Sequence, residues 1–199
     1  MREIPLIQVP QPVPSSACLS CEVCCRFPES DSFLRPYFLP TEIRQAIEGG
    51  LEAASFSDLS GGQVNLVPQP MGEGYLCPAF DPQTRHCRIY EVRPLDCRIY
   101  PFVVMWNADH TGILLGWDTK CPFLLHHSAP QEEHSPELSL DSVRMALPEE
   151  TLRMAHHVAA SLESEQIIVL LTDHPQFVTR FQEDVVSIQP LPILTEHLM

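Results

Sequence analysis

Cys18-Leu19-Ser20-Cys21-Glu22-Val23-Cys24-Cys25 opens the stretch that decides how this chain folds, and Cys121-Pro122 closes it. Between these ends lie Cys77-Pro78, Cys87 and Cys97, so all eight cysteines fall within residues 18–121. A C-x2-C-x2-C-C run can curl several thiolates around one metal centre, and bacterial ferredoxins begin their ligand run with the same C-x2-C-x2-C spacing. Free cysteine is also a common small core residue. Eight core cysteines would not gather into such a run and two Cys-Pro pairs, so the pattern points to ligation. Proline after a ligand removes a backbone donor and stiffens the chain that carries the sulfur. Neighbouring side chains are expected to point apart, which leaves one of Cys24 and Cys25 for a second centre, a cluster edge or packing.

Working outward, Cys87-Arg88-Ile89-Tyr90 recurs ten residues on as Cys97-Arg98-Ile99-Tyr100, two similar turns that each offer a thiolate and an arginine. With Arg85 and Arg93 they place four guanidinium groups within fourteen residues of an acidic protein. Arginines beside thiolates offset negative charge and lower thiol pKa values, or receive an anionic group. Arg88, Arg93 and Arg98 are therefore candidate cofactor-binding residues. Ordinary pairing with acidic neighbours such as Glu91 and Asp96 is the competing reading.

The pattern Cys18-x2-Cys21-x2-Cys24-Cys25, then Cys77-Pro78-Ala79-Phe80, then Cys87 through Pro101-Phe102 resembles the CxxCxxCC cysteine-cluster family of zinc- or iron-chelating domains. The resemblance covers roughly residues 18–122. The chain fills all eight cysteine positions of the family, and the resemblance implies metal or iron–sulfur binding; the expected ligands are Cys18, Cys21, Cys24 and Cys25 on one side of the site and Cys77, Cys87, Cys97 and Cys121 on the other, as two four-ligand centres or as one cluster with four spare thiols. One branch of similar cysteine content methylates flagellin lysines, which makes methyl transfer a candidate activity. Gly49-Gly50, Gly61-Gly62 and Gly72-Glu73-Gly74 do not form a G-x-G-x-x-G nucleotide fingerprint. The radical S-adenosylmethionine spacing C-x3-C-x2-C is missing as well.

Thiolate-rich sites suit both zinc and iron–sulfur clusters. The ferredoxin-like opening favours iron–sulfur, with [4Fe–4S] the expected cofactor and zinc the alternative. The function expected is that of a metal-binding protein with redox or methyl-transfer chemistry, or else a structural zinc module without catalysis. Of the nine histidines, His86 next to Cys87 is expected to face away, and His126-His127 and His156-His157 to lie on the surface or on a helix.

Composition narrows the class. The 199 residues hold 12 Lys and Arg against 26 Asp and Glu, a net charge of -14 that repels a nucleic-acid backbone. No apolar run approaches the roughly 20 residues of a membrane span. The stretch Met1 to Pro14 lacks a secretory apolar core, so a cytoplasmic protein with free thiols is expected. A protein partner or protein substrate is compatible with this surface; nucleic acid and membrane are not. Residues 1–127 carry nine basic and fourteen acidic side chains, and 128–199 three and twelve. The expected organisation is a cysteine-cluster domain over 1–127 and an acidic, helical extension over 128–199 packed on it, joined through the polar stretch His126 to Pro136.

The expected fold class is α+β: a small, loop-rich, cysteine-ligated module with short helices and a β-hairpin. Pro40 followed by Ile43, Ala46 and Ile47 predicts a short helix stopped by Gly49-Gly50. Gln63 to Val67 alternates weakly. Phe102 to Trp106 and Ile113 to Trp117 read as strands around an Asn-Ala-Asp-His-Thr-Gly turn. Pro148 opens the longest helix, with Leu152, Ala155, Val158, Ala159 and Leu162 on one face. Ile167 to Leu171 fits either a helix or a buried strand, and Asp184 to Ile188 a last strand. Twenty prolines favour short elements and much loop.

Overall fold

A computed structural model of the protein describes residues 9–123 and 147–199. The stretch from His126 to Pro136 and the pair His126-His127 lie outside the described residues. Among these residues the architecture is α+β, with short helices and small antiparallel sheets. It divides into two compact units, one over 14–98 and one over 9–13 with the rest of the described chain from 99 onward.

In the first unit, α1 (Ser15–Leu19) leads through a 3₁₀ turn at Val23–Cys25 into β1 (Arg26–Phe27). β2 (Tyr37–Phe38) pairs antiparallel with β3 (Gly62–Gln63). β5 (Tyr75–Leu76) is the middle strand between β1 and β4 (Val67–Pro68). β6 (Phe80–Asp81) forms a hairpin with β7 (His86–Cys87), in which Phe80 faces Cys87. The weak alternation at Gln63 to Val67 therefore resolves into parts of two strands, with Val64 bridging to Phe56 between them.

The helix expected from Ile43, Ala46 and Ile47 is α2 (Pro40–Glu48), with proline in its first turn. Its end is closed by two backbone bonds, from Gly50 N–H to the Ile47 carbonyl and from Leu51 N–H to the Ala46 carbonyl. This Schellman arrangement puts Gly50 at φ +104°, which only glycine adopts at no cost. Ile43 and Ala46 are fully buried in a core with Phe27, Phe38, Phe56, Leu76 and Phe80. Phe38 and Phe56 meet edge to face with centroids 5.1 Å apart, and each such ring contributes about 1.5–3 kcal/mol through burial. The unit ends in α3 (Leu95–Ile99), the short helix that carries Cys97.

The second unit is built on β8 (Phe102–Trp106), β9 (Ile113–Asp118) and β10 (Val185–Pro190), with β9 in the middle. The expected hairpin and last strand are thus both present. Asn107 shapes the hairpin turn: its side-chain oxygen accepts the N–H groups of Thr111 and Gly112. The segment after Pro148 is α4 (Glu149–Leu162), which buries Ala155, Val158, Ala159 and Leu162 and leaves His156 and His157 exposed. Ile167 to Leu171 belongs to a separate helix, α5 (Glu165–Thr172), because the chain turns at Glu163-Ser164. The last helix is α6 (Pro192–Leu198), whose first turn is held by the Glu163 carboxylate accepting Ile193 N–H at 2.7 Å. No helix among the described residues is long and apolar enough to cross a membrane.

Candidate metal centre

None of the eight cysteines forms a disulfide. Seven lie in the first unit, while Cys121 belongs to the second, buried just after β9 with its N–H on the Asp118 carbonyl at 3.3 Å. Cys18 sits on α1 and Cys21 in the turn after it, its N–H donating to the Cys18 carbonyl at 3.2 Å. The 3₁₀ turn then presents Cys24 and Cys25. Residues in such a turn are separated by about 120° rather than the near-opposition of a strand. A Cys24–Cys25 side-chain hydrogen bond nonetheless links the two thiols.

Strand pairing brings the distant cysteines to this turn. β1 and β5 are in register with Arg26 opposite Leu76, so Cys25 and Cys77 stand at the same end of the pair, and Cys77 N–H donates to the Cys25 carbonyl at 3.0 Å. After Cys77 the chain turns back, with Phe80 N–H on the Cys77 carbonyl at 2.9 Å. The β6–β7 hairpin then returns Cys87 to the same place. Arg88 N–H on the Ala79 carbonyl, at 2.8 Å, ties the two turns together.

The thiols interact as a group. Burial is the largest influence on Cys77, whose pKa is pushed up to about 12, with Cys87 and Cys24 adding repulsion. Burial also raises Cys87, and raises Cys97 well above the usual thiol range, where Asp96, Cys77, Cys24 and Cys87 add to it. Cys25 is raised first by its hydrogen bond with Cys24, then by burial and by Cys24, Cys77 and Cys97. Five sulfurs, of Cys24, Cys25, Cys77, Cys87 and Cys97, thus stand within electrostatic reach of one another.

Main-chain donors oppose this repulsion. The N–H groups of Ala79 and Phe80 reach the Cys77 sulfur, and that of Ile89 the Cys87 sulfur. Hydrogen bonds of this kind favour the thiolate. Arg93 and Arg88 act on Cys87 in the same direction. Among the described residues no group of three or more cysteines, histidines, aspartates and glutamates is placed so that it could hold a metal ion. As a donor set, however, clustered sulfurs with N–H groups aimed at them fit a thiophilic metal, whose charge replaces mutual repulsion by attraction.

The candidate arginines have separate anchors. Arg88 donates to the Pro78 carbonyl. Arg93 is buried with its guanidinium 3.7 Å from the Tyr90 ring centroid and donates to the Tyr90 carbonyl at 3.1 Å. Arg98 donates to Glu42 Oε1 at 3.3 Å. Arg85 reaches the Glu22 carboxylate at 3.0 Å, and Arg26 reaches it at 2.7 Å. Glu22 therefore links the first cysteine run to the tip of the β6–β7 hairpin, and its pKa is lowered, mainly by the Arg26 hydrogen bond. His86, beside Cys87, is exposed.

Two carboxylates tie down the chain around Cys97: Glu42, which the motif reading passed over, and Asp96, which it named only as a possible arginine partner. Glu42 is 5% exposed. Its Oε1 accepts Leu95 N–H at 2.7 Å, and its Oε2 accepts Leu39 N–H at 3.0 Å. Burial raises its pKa against these bonds and Arg98. Asp96 accepts Tyr37 N–H at 2.9 Å and is pushed up to about 7, first by burial and then by Glu42. The only trace of this role in the sequence is an acidic residue in the third position after Leu39 at a helix start, where it can accept that N–H.

A family model described as "CxxCxxCC: Putative zinc- or iron-chelating domain" matches residues 17–122. No curated protein and no solved structure matches the chain.

Proposed function

The chain belongs to the CxxCxxCC family of zinc- or iron-chelating domains, and from that membership we propose that its clustered thiols hold an iron–sulfur centre of the [4Fe–4S] type. The observation that carries the reading is the pair of turns at Cys77 and Cys87, with two backbone N–H groups on the first sulfur and one on the second, beside the Cys24-Cys25 turn. Four ligands would come from among Cys24, Cys25, Cys77, Cys87 and Cys97, with Cys18 and Cys21 as further thiolates of the same unit. Burial holds the thiol pKa values of Cys77, Cys87 and Cys97 above the usual range, so loading would release protons and couple to folding. A bound cluster would supply one-electron redox chemistry, at a potential tuned by hydrogen bonds to sulfur and by burial. In this reading Arg88 and Arg93 balance thiolate charge around the cofactor, and Arg98 acts through Glu42.

Zinc is the second reading, favoured by the same N–H-supported turns, because four thiolates also make a closed structural zinc site. Protein purified without oxygen separates the two. Iron with acid-labile sulfide and visible absorption supports the cluster, whereas colourless protein with stoichiometric zinc replaces it by a structural site.

A further inference from the structure

We propose that Glu42 is a positioning residue that fixes Cys97 among the other thiols, an inference that builds on the metal-centre reading. α3 has five residues, too few to be stable alone. One carboxylate oxygen, Glu42 Oε1, takes both Leu95 N–H and the Arg98 guanidinium, so residues two before and one after Cys97 are held at a single atom. The other oxygen is fixed to Leu39 at the start of Glu42's own helix. Asp96, next to Cys97, is tied independently to Tyr37 N–H. A buried ion pair is often no more stabilising than apolar side chains of similar size. A carboxylate here costs desolvation, and what it gains is the placement of a turn whose N-terminal N–H groups otherwise lack partners. Holding the ligand's own element is how residues behind a metal site tune its affinity.

Two readouts test this on the full-length protein: zinc affinity by chelator competition, and the maleimide labelling rate of Cys97 against Cys77 in the reduced, metal-free form. Glu42→Ala should weaken zinc by about tenfold or more and speed Cys97 labelling about fivefold or more, with Cys77 little changed. Glu42→Gln, which keeps one acceptor oxygen, should show smaller shifts of the same sign and decides the matter if the alanine variant does not fold. Ile43→Val, a core change on the same helix, should leave both readouts near wild type even though it lowers the melting temperature. If wild type binds neither zinc nor iron, the metal-centre reading fails and the labelling ratio alone judges Glu42. Folded Glu42 variants with wild-type Cys97 labelling, or a zinc affinity lowered no more than in Ile43→Val, overturn the proposal.

Discussion

Cys77 N–H donates to the Cys25 carbonyl at 3.0 Å, so two cysteines that are 52 positions apart in the sequence are joined through the main chain. The bond continues the β1–β5 ladder by one step. Whatever disturbs that ladder should therefore disturb metal binding without touching a sulfur.

Gly74 offers the sharpest disturbance. It precedes β5 at φ +93°, and a Cβ there would stand 2.7 Å from the Phe27 carbonyl oxygen, a backbone atom with little room to move. Gly74→Ala is expected to cost about 1–3 kcal/mol and to lower metal content per folded molecule. Thermal melts together with metal analysis check this, and unchanged metal content would detach the ladder from the site.

The second unit has its own sensitive glycine. A Cβ on Gly116, in the central strand β9, would meet Val185 Cγ1 at 2.4 Å and Met105 Cε at 3.1 Å. Gly116→Ala should destabilise by about 1–3 kcal/mol through overpacking. Adding Val185→Ala should recover part of that loss. Denaturant midpoints of the three variants measure it, and a double variant no better than the single one would contradict the packing account.

The parts of this fold that could be read in the sequence are those with a long period. Ile43, Ala46 and Ile47 announce α2, the Asn107 to Gly112 turn announces the β8–β9 hairpin, and the stripe from Leu152 to Leu162 announces α4. Ile167 to Leu171 stayed ambiguous because a five-residue apolar run fits either period. Strands of two residues such as Arg26–Phe27 and Tyr75–Leu76 carry no period at all, yet they bring the cysteines together. Spacing marked the sulfurs, whereas the supporting role of Glu42 depends on burial and on Leu95, fifty-three positions away, which no local pattern encodes.

The burial of Glu42 gives a pH dependence. Its folded pKa lies above the ordinary carboxylate value, so between those two values the folded state holds more protons than the unfolded one. Stability must then fall as pH rises through that window. Asp96, pushed up to about 7, contributes with the same sign. Urea melts of reduced, metal-free protein from pH 4.5 upward should show this fall, and Glu42→Gln should make it shallower. A slope identical in the variant would remove Glu42 as its source.

Metal removal should cost stability as well. A ligand bound only by the folded state raises its stability by mass action, and the cross-link that the ion makes between the turns carrying Cys25, Cys77 and Cys97 is lost when it leaves. Treatment with a strong chelator under reducing conditions is expected to lower the melting temperature by more than about 10 °C, with recovery on adding metal back. An unchanged melt in protein shown to have lost its metal would mean that binding and folding are not coupled.

The most direct test of the central claim is X-ray absorption at the metal edge of protein purified without oxygen, which reads the identity of the donor atoms. The thiol-cluster account predicts a first shell of sulfur alone, at about 2.3 Å if the metal is zinc. Cys87→Ser should change that shell or empty the site. A first shell of oxygen or nitrogen donors, or one unaffected by Cys87→Ser, would contradict it.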